Sequence, residues 1–115
     1  MRSLFLAGLL LASLTAAVRP ADAADVRMYI RHEVADYSAW RKTYDAFAGM
    51  QRKLGVTHKA VYQSVENPNH VTVTHDFKTK EKAQAFISAP ELKSAMDKGG
   101  VKGTPQVWIT TQASK

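Results

Sequence analysis

The chain has 115 residues, 45% of them hydrophobic, and carries 16 Lys and Arg against 10 Asp and Glu for a formal charge of +6. That length supports one domain with one modest core, not two. There is no Cys, which excludes disulfides, a thiol nucleophile and a thiolate metal site, and the basic residues are scattered instead of forming the aromatic-interleaved stripe of a nucleic-acid reader.

The N-terminus comes first. Arg2 supplies a short positive region, Leu4 to Leu14 is an almost unbroken apolar run, and Ala21-Asp22-Ala23 is a small-x-small site. This order is that of a secretory signal peptide cleaved after Ala23. Residues 1–23 are therefore expected to be removed, leaving 24–115 as a single domain that is periplasmic or secreted. A membrane span needs roughly 20 apolar residues, and Arg19, Pro20 and Asp22 end this run too soon. No Cys follows to carry a lipid, so no membrane attachment is expected after cleavage. Losing Arg2, Arg19 and Asp22 takes the formal charge from +6 to +5. A small domain without disulfides needs another source of stability, and oligomerisation is one.

Further along, the apolar period switches between 2 and 3.6. Val26 to Val34 alternates as a strand, with Val26, Met28, Ile30, His32 and Val34 on one face. Asp36 is a good N-cap for a helix over 37–54, whose stripe is Tyr37, Trp40, Tyr44, Phe47 and Leu54 and whose stop is Gly55. His58 to Val65 reads as a second strand, Glu66-Asn67-Pro68-Asn69 as a turn and His70 to Phe77 as a third strand. Thr79 caps a second helix that buries Ala83, Phe86 and Ile87. Pro90 opens a further short helix burying Leu92 and Met96, which Gly99-Gly100 ends. Gln106 to Thr111 is the last strand.

The order is β-α-β-β-α-β with the second helix split in two. Right-handed crossovers turn it into an α+β ferredoxin-like fold, a four-stranded antiparallel sheet with helices on one face. The other face would carry Arg27, Tyr29, Arg31, Val61, Val65, Thr72 and Thr74, too mixed for a core and too apolar for bare surface. Packing against a second copy is the simplest cover.

Several segments resemble one group of proteins. Val34-Ala35-Asp36-Tyr37-Ser38-Ala39-Trp40 looks like the V-x-D-Y-x-x-W opening of helix one in small dimeric α/β-barrel proteins. Glu66-Asn67-Pro68-Asn69-His70-Val71 resembles their D-D-P-N-x-V hairpin, with Glu and Asn for the two Asp. Ala83 to Phe86, Pro90-Glu91-Leu92, Ala95-Met96 and Gly100-Val101-x-Gly-x-Pro105 resemble the rest, over about residues 26–109. The chain is thus similar to the antibiotic-biosynthesis-monooxygenase-like superfamily, whose members are often labelled cyclases. The resemblance implies a homodimer whose two sheets form a barrel, with small hydrophobic ligands between sheet and helices. It implies no single reaction, because the fold hosts cofactor-free oxygenation, haem chemistry, isomerisation and plain binding. The matched motifs are caps and turns, so no catalytic set carries over.

The histidines are the most informative polar residues. A hairpin closing Val65 opposite His70 would set Ala60 opposite His75 and His58 opposite Phe77, leaving His58 and His75 diagonal on one face, about 7–8 Å apart. It would also pair Asp76 with Lys59. His32 shares the inward phase, but antiparallel strands put His32 and His75 at opposite ends of the sheet, and no carboxylate shares their phase. No metal and no cofactor are therefore expected. His75 or His32, facing Trp40, Tyr44 and Phe86, is the candidate base or hydrogen-bond donor, since burial favours a neutral imidazole. The plainer reading of each is a core histidine satisfied by a hydroxyl from Tyr44 or Tyr62. Trp40, Tyr44, Tyr62 and Phe86 are the candidate ligand-binding residues.

Three functions follow as expectations. The first is an exported homodimer, paired through its open sheet face, that binds a small apolar or aromatic molecule. The second is a cofactor-independent monooxygenase or isomerase of an aromatic substrate using His75 or His32, with a haem-binding variant as a sub-case. The third is a structural dimer without ligand.

Overall fold

The computed structural model describes residues 25–114, so the expected signal peptide lies outside the described residues. The elements are β1 (Val26–Val34), α1 (Tyr37–Ala46), α2 (Ala48–Lys53), β2 (His58–Gln63), β3 (His70–Phe77), α3 (Lys80–Ile87), α4 (Pro90–Lys98) and β4 (Val101–Thr110). The strands form one antiparallel sheet in the order β2-β3-β1-β4. This is the expected ferredoxin-like α+β topology, including the split between α3 and α4.

Local chemistry starts and stops these elements. Asp36 caps α1 by accepting from the Ala39 N–H, and Thr79 caps α3 by accepting from the Lys82 N–H. Pro90 occupies the first turn of α4, where its missing N–H costs nothing. Gly100 leaves α4 at φ 80, a left-handed angle at little cost only for glycine, and its carbonyl accepts from the Ala35 N–H. Asn69 ties the hairpin to the helix: its carbonyl accepts from the Val34 N–H and its side-chain Oδ1 accepts from the Tyr37 N–H at 2.8 Å.

The inner face of β1 and β3 is Met28, Ile30, His32 and Val34 opposite His75, Val73 and Val71, with Phe77 at one end. The helices cover it with Trp40, Tyr44, Ala83, Phe86 and Leu92, all buried.

Four expectations change. The first helix is not continuous over 37–54: it breaks at Phe47, whose N–H is shared between the carbonyls of Thr43 and Tyr44. Two residues beyond that tightened turn is Gly49, a poor helix former. β2 ends at Gln63 instead of Val65, because the Ser64 hydroxyl accepts from the N–H groups of Glu66 and Asn67 and starts the turn early.

Third, the β2–β3 register slips by one. Lys59 faces His75, Ala60 faces Thr74 and His58 faces Asp76. A one-residue slip moves every side chain to the other face, so His58 and Tyr62 leave the covered face and Lys59 and Val61 join it. Val65 belongs to neither face and is 100% exposed in the turn. Asp76 accordingly pairs with Arg27, at 2.7 and 3.0 Å, and not with Lys59. Fourth, β4 begins at Val101, well before Gln106. It is an edge strand, where Pro105 is tolerated, and it bulges opposite His32: pairing jumps from Arg31–Gln106 to Glu33–Lys102.

Candidate functional site

Burial in the space between sheet and helices follows from residues already on one stripe. Trp40 and Tyr44 project from α1 onto the inner face of β1 and β3, where His32 and His75 stand four residues apart in register. The result is a run of ring contacts. His32 meets the edge of Trp40 at 5.7 Å, Trp40 stacks on Tyr44 at 4.8 Å, and Tyr44 lies over His75 at 6.0 Å. His75 then meets Phe86 at 5.2 Å, and Phe86 meets Phe77 at 5.3 Å. Offset and edge-to-face contacts of this kind add to the area term. Gly99 is part of the arrangement: a Cβ there would come within 3.1 Å of the Trp40 ring.

Polar groups thread through the rings. Tyr44 Oη lies 3.0 Å from His75 Nε2. Lys59 Nζ donates to Gln51 Oε1 at 2.7 Å and sits 5.2 Å from the centre of the Tyr44 ring. Gln51 is buried at 2% exposure. The Nδ1 atoms of His32 and His75 are both buried without a hydrogen-bond partner. Such atoms carry the full cost of lost hydration unless something else meets them.

Burial sets the protonation states. It pushes the His75 imidazole down to about 4, helped by the Lys59 ammonium and opposed by Asp76. Burial also lowers His32. Both rings are therefore neutral at ordinary pH. Burial pushes the Tyr44 phenol up to about 12, against the opposing effects of a Gln51 hydrogen bond and the Arg41 charge.

A narrow cavity of about 40 Å³ lies among these groups, lined by His32, Trp40, Tyr44, His75, Gln51 and Met96 with their neighbours. Its outer wall, Thr43, Phe47 and Ala95, is also the floor of an open groove of about 590 Å³ between α1 and α4. The inner volume suits one or two waters or a small ligand group, while the groove has the volume of an ordinary ligand site.

Of the residues singled out from sequence, His32, His75, Trp40 and Tyr44 line this cavity together, and Phe86 buttresses His75 from behind. Tyr62 does not join them: it is 57% exposed on the opposite sheet face, placed there by the register slip. Tyr44, not Tyr62, supplies the hydroxyl partner of His75. Gln51 and Lys59 were missed. Gln51 had a signal, since Tyr37, Trp40, Tyr44, Phe47, Gln51 and Leu54 recur at intervals of three and four, and a lone amide on such a stripe asks for a buried partner. Lys59 had none without the register. Among the described residues, no three His, Cys, Asp or Glu side chains are grouped to hold a metal ion.

No protein-family model and no curated protein matches the sequence. Solved structures do. SnoaB, a cofactor-independent oxygenase from Streptomyces nogalater, is similar with a TM-score of 0.67 at 10% identity, over 81% of this chain and 97% of that one. A conserved protein from Methanosarcina mazei Go1 gives 0.66 at 15% identity over the same shares. A structure described as an antibiotic biosynthesis monooxygenase gives 0.62 at 5% identity, over 77% and 99%. The chain has the ferredoxin-like α+β fold of the antibiotic-biosynthesis-monooxygenase-like proteins.

Proposed function

We propose that this domain is exported, pairs with a second copy through its open sheet face, and binds a small apolar or aromatic molecule between sheet and helices. The observation that carries the reading is the cavity under the α1–α4 groove, where two neutral imidazoles keep a nitrogen without a partner. Apolar walls supply affinity and a few polar groups supply orientation. The ligand occupies the groove and reaches the imidazoles by turning Phe47, which sits at the junction of α1 and α2. Export rests on the leader-like order of residues 1–23. Pairing rests on the exposed Trp108 and Tyr62 of the open face.

The test is an NMR titration of the purified domain with hydroxylated aromatics and aromatic ketones. Resonances of Trp40, Tyr44 and His75 should move together and saturate. If no compound shifts them at millimolar concentration, the reading fails.

A second reading, a cofactor-independent monooxygenase, is favoured by the neutral imidazoles and by the fold shared with SnoaB. One imidazole would take a proton from an acidic CH₂ of the substrate, and the resulting carbanion would reduce O₂. The hydroperoxide then loses water, so CH₂ and O₂ become C=O and H₂O. No external reductant enters, which suits an exported protein. Oxygen uptake that survives replacement of both His32 and His75 would falsify this mechanism.

A further inference from the structure

The hydrogen bond between Tyr44 and His75 has a direction. A phenol is a stronger acid than a neutral imidazole N–H, and an imidazole nitrogen is a stronger base than a phenol oxygen, so the Tyr44 hydroxyl donates and the imidazole accepts. The acceptor at 3.0 Å is His75 Nε2. A neutral imidazole that accepts at Nε2 carries its hydrogen on Nδ1, and Nδ1 is the buried atom without a partner.

We infer that Tyr44 locks His75 as the Nδ1–H tautomer, so that the cavity offers a hydrogen-bond donor and selects ligands carrying an acceptor oxygen, such as a ketone carbonyl or its enolate. The inference rests on the pocket proposed above and gives it a ligand class. The Nδ1–H favours an oxygen that bears or develops negative charge. The tautomer also divides the two histidines. With Nε2 engaged and Nδ1 protonated, His75 has no free lone pair with which to take a proton. If the site abstracts one, His32 is the acceptor.

The experiment has two parts. Long-range ¹H–¹⁵N correlation of the ligand-free protein reads the His75 tautomer directly, with protonated Nδ1 and bare Nε2 expected. The reverse pattern overturns the inference. Titration with the matched pair 1-indanone and indane then reads the ligand class. Indanone should bind about tenfold tighter, and Tyr44→Phe should mix the tautomers and shrink that ratio. Equal binding of the pair to wild-type protein overturns the inference while leaving the pocket standing. Binding of neither overturns the pocket as well.

Discussion

The covered and open faces of the sheet carry similar side chains and treat them in opposite ways. On the covered face His32, Trp40, Tyr44, His75 and Phe86 are all buried, and two imidazole nitrogens have no partner. On the open face Tyr29 stacks on Trp108 with ring centres 5.3 Å apart, Arg27 grips Asp76, and Trp108 remains 45% exposed. Polar groups on the open face keep solvent or an ion-pair partner, as Asp76 does with Arg27, which lowers its carboxyl. On the covered face desolvation dominates and pins both histidines neutral. Chemistry that needs an uncharged imidazole therefore belongs to the covered face, and the open face is suited to association.

The largest expected effect tests how far the covered face behaves as one packed unit. Phe86 is 0% exposed and sits between His75 and Phe77. Phe86→Ala should cost about 3–5 kcal/mol, read by urea or thermal denaturation. For a domain of this size that is a fall in Tm of roughly 15 °C or more. A loss below about 1 kcal/mol would mean that the ring run is not a close-packed core.

The next effect is in pH. His75 titrates near the ordinary imidazole value of 6.5 in an unfolded chain and near 4 in the folded protein. Between those values the unfolded state binds the additional proton, so stability is complete above 6.5 and falls as the pH drops towards 4. The loss is roughly 3 kcal/mol for this one group, with His32 acting in the same direction. Asp76 is lowered below the ordinary carboxyl value of 3.8 by Arg27, so its contribution is lost only at more acidic pH. Denaturant midpoints from pH 7 to pH 4 should show the slope. His75→Gln should flatten most of it, and a slope unchanged by that substitution would place the titrating group elsewhere.

Both faces of β1 and β3 were legible in the sequence because strict alternation leaves only one way to bury Met28, Ile30, Val71 and Val73. The caps at Asp36 and Thr79 and the split at Pro90 were legible because each depends on a side chain acting within one turn. The β2 faces were not. Their register hangs on where the hairpin begins, and the Ser64 hydroxyl decides that through hydrogen bonds no apolar pattern encodes. One residue of error sent Tyr62 to the wrong face and hid Lys59. The break at Phe47 was hidden too, because its stripe runs on unbroken into α2. The candidate site was thus half visible: its rings came from periodicity, while the Lys59–Gln51 pair beside Tyr44 needed the fold.

The smallest effect in free energy of the isolated chain belongs to the open face, and there the comparison is sharpest. Trp108→Ala removes one stacked pair with Tyr29 from an edge strand. That should cost the monomer only about 1 kcal/mol. If a second copy covers this face, the same substitution deletes a central aromatic anchor and should weaken the pairing by about 2 kcal/mol, close to thirtyfold in Kd. Sedimentation velocity over a concentration series separates the two quantities. Trp108→Ala and Tyr62→Ala should each shift the sedimentation coefficient towards the monomer while far-UV circular dichroism stays unchanged. Phe86→Ala, placed on the other face, should lower the melting temperature of whatever species is present without a comparable change in pairing at temperatures where the chain remains folded. If the pairing constant ignores both open-face substitutions, the exposed aromatics have another occupant, and pairing through this face is wrong.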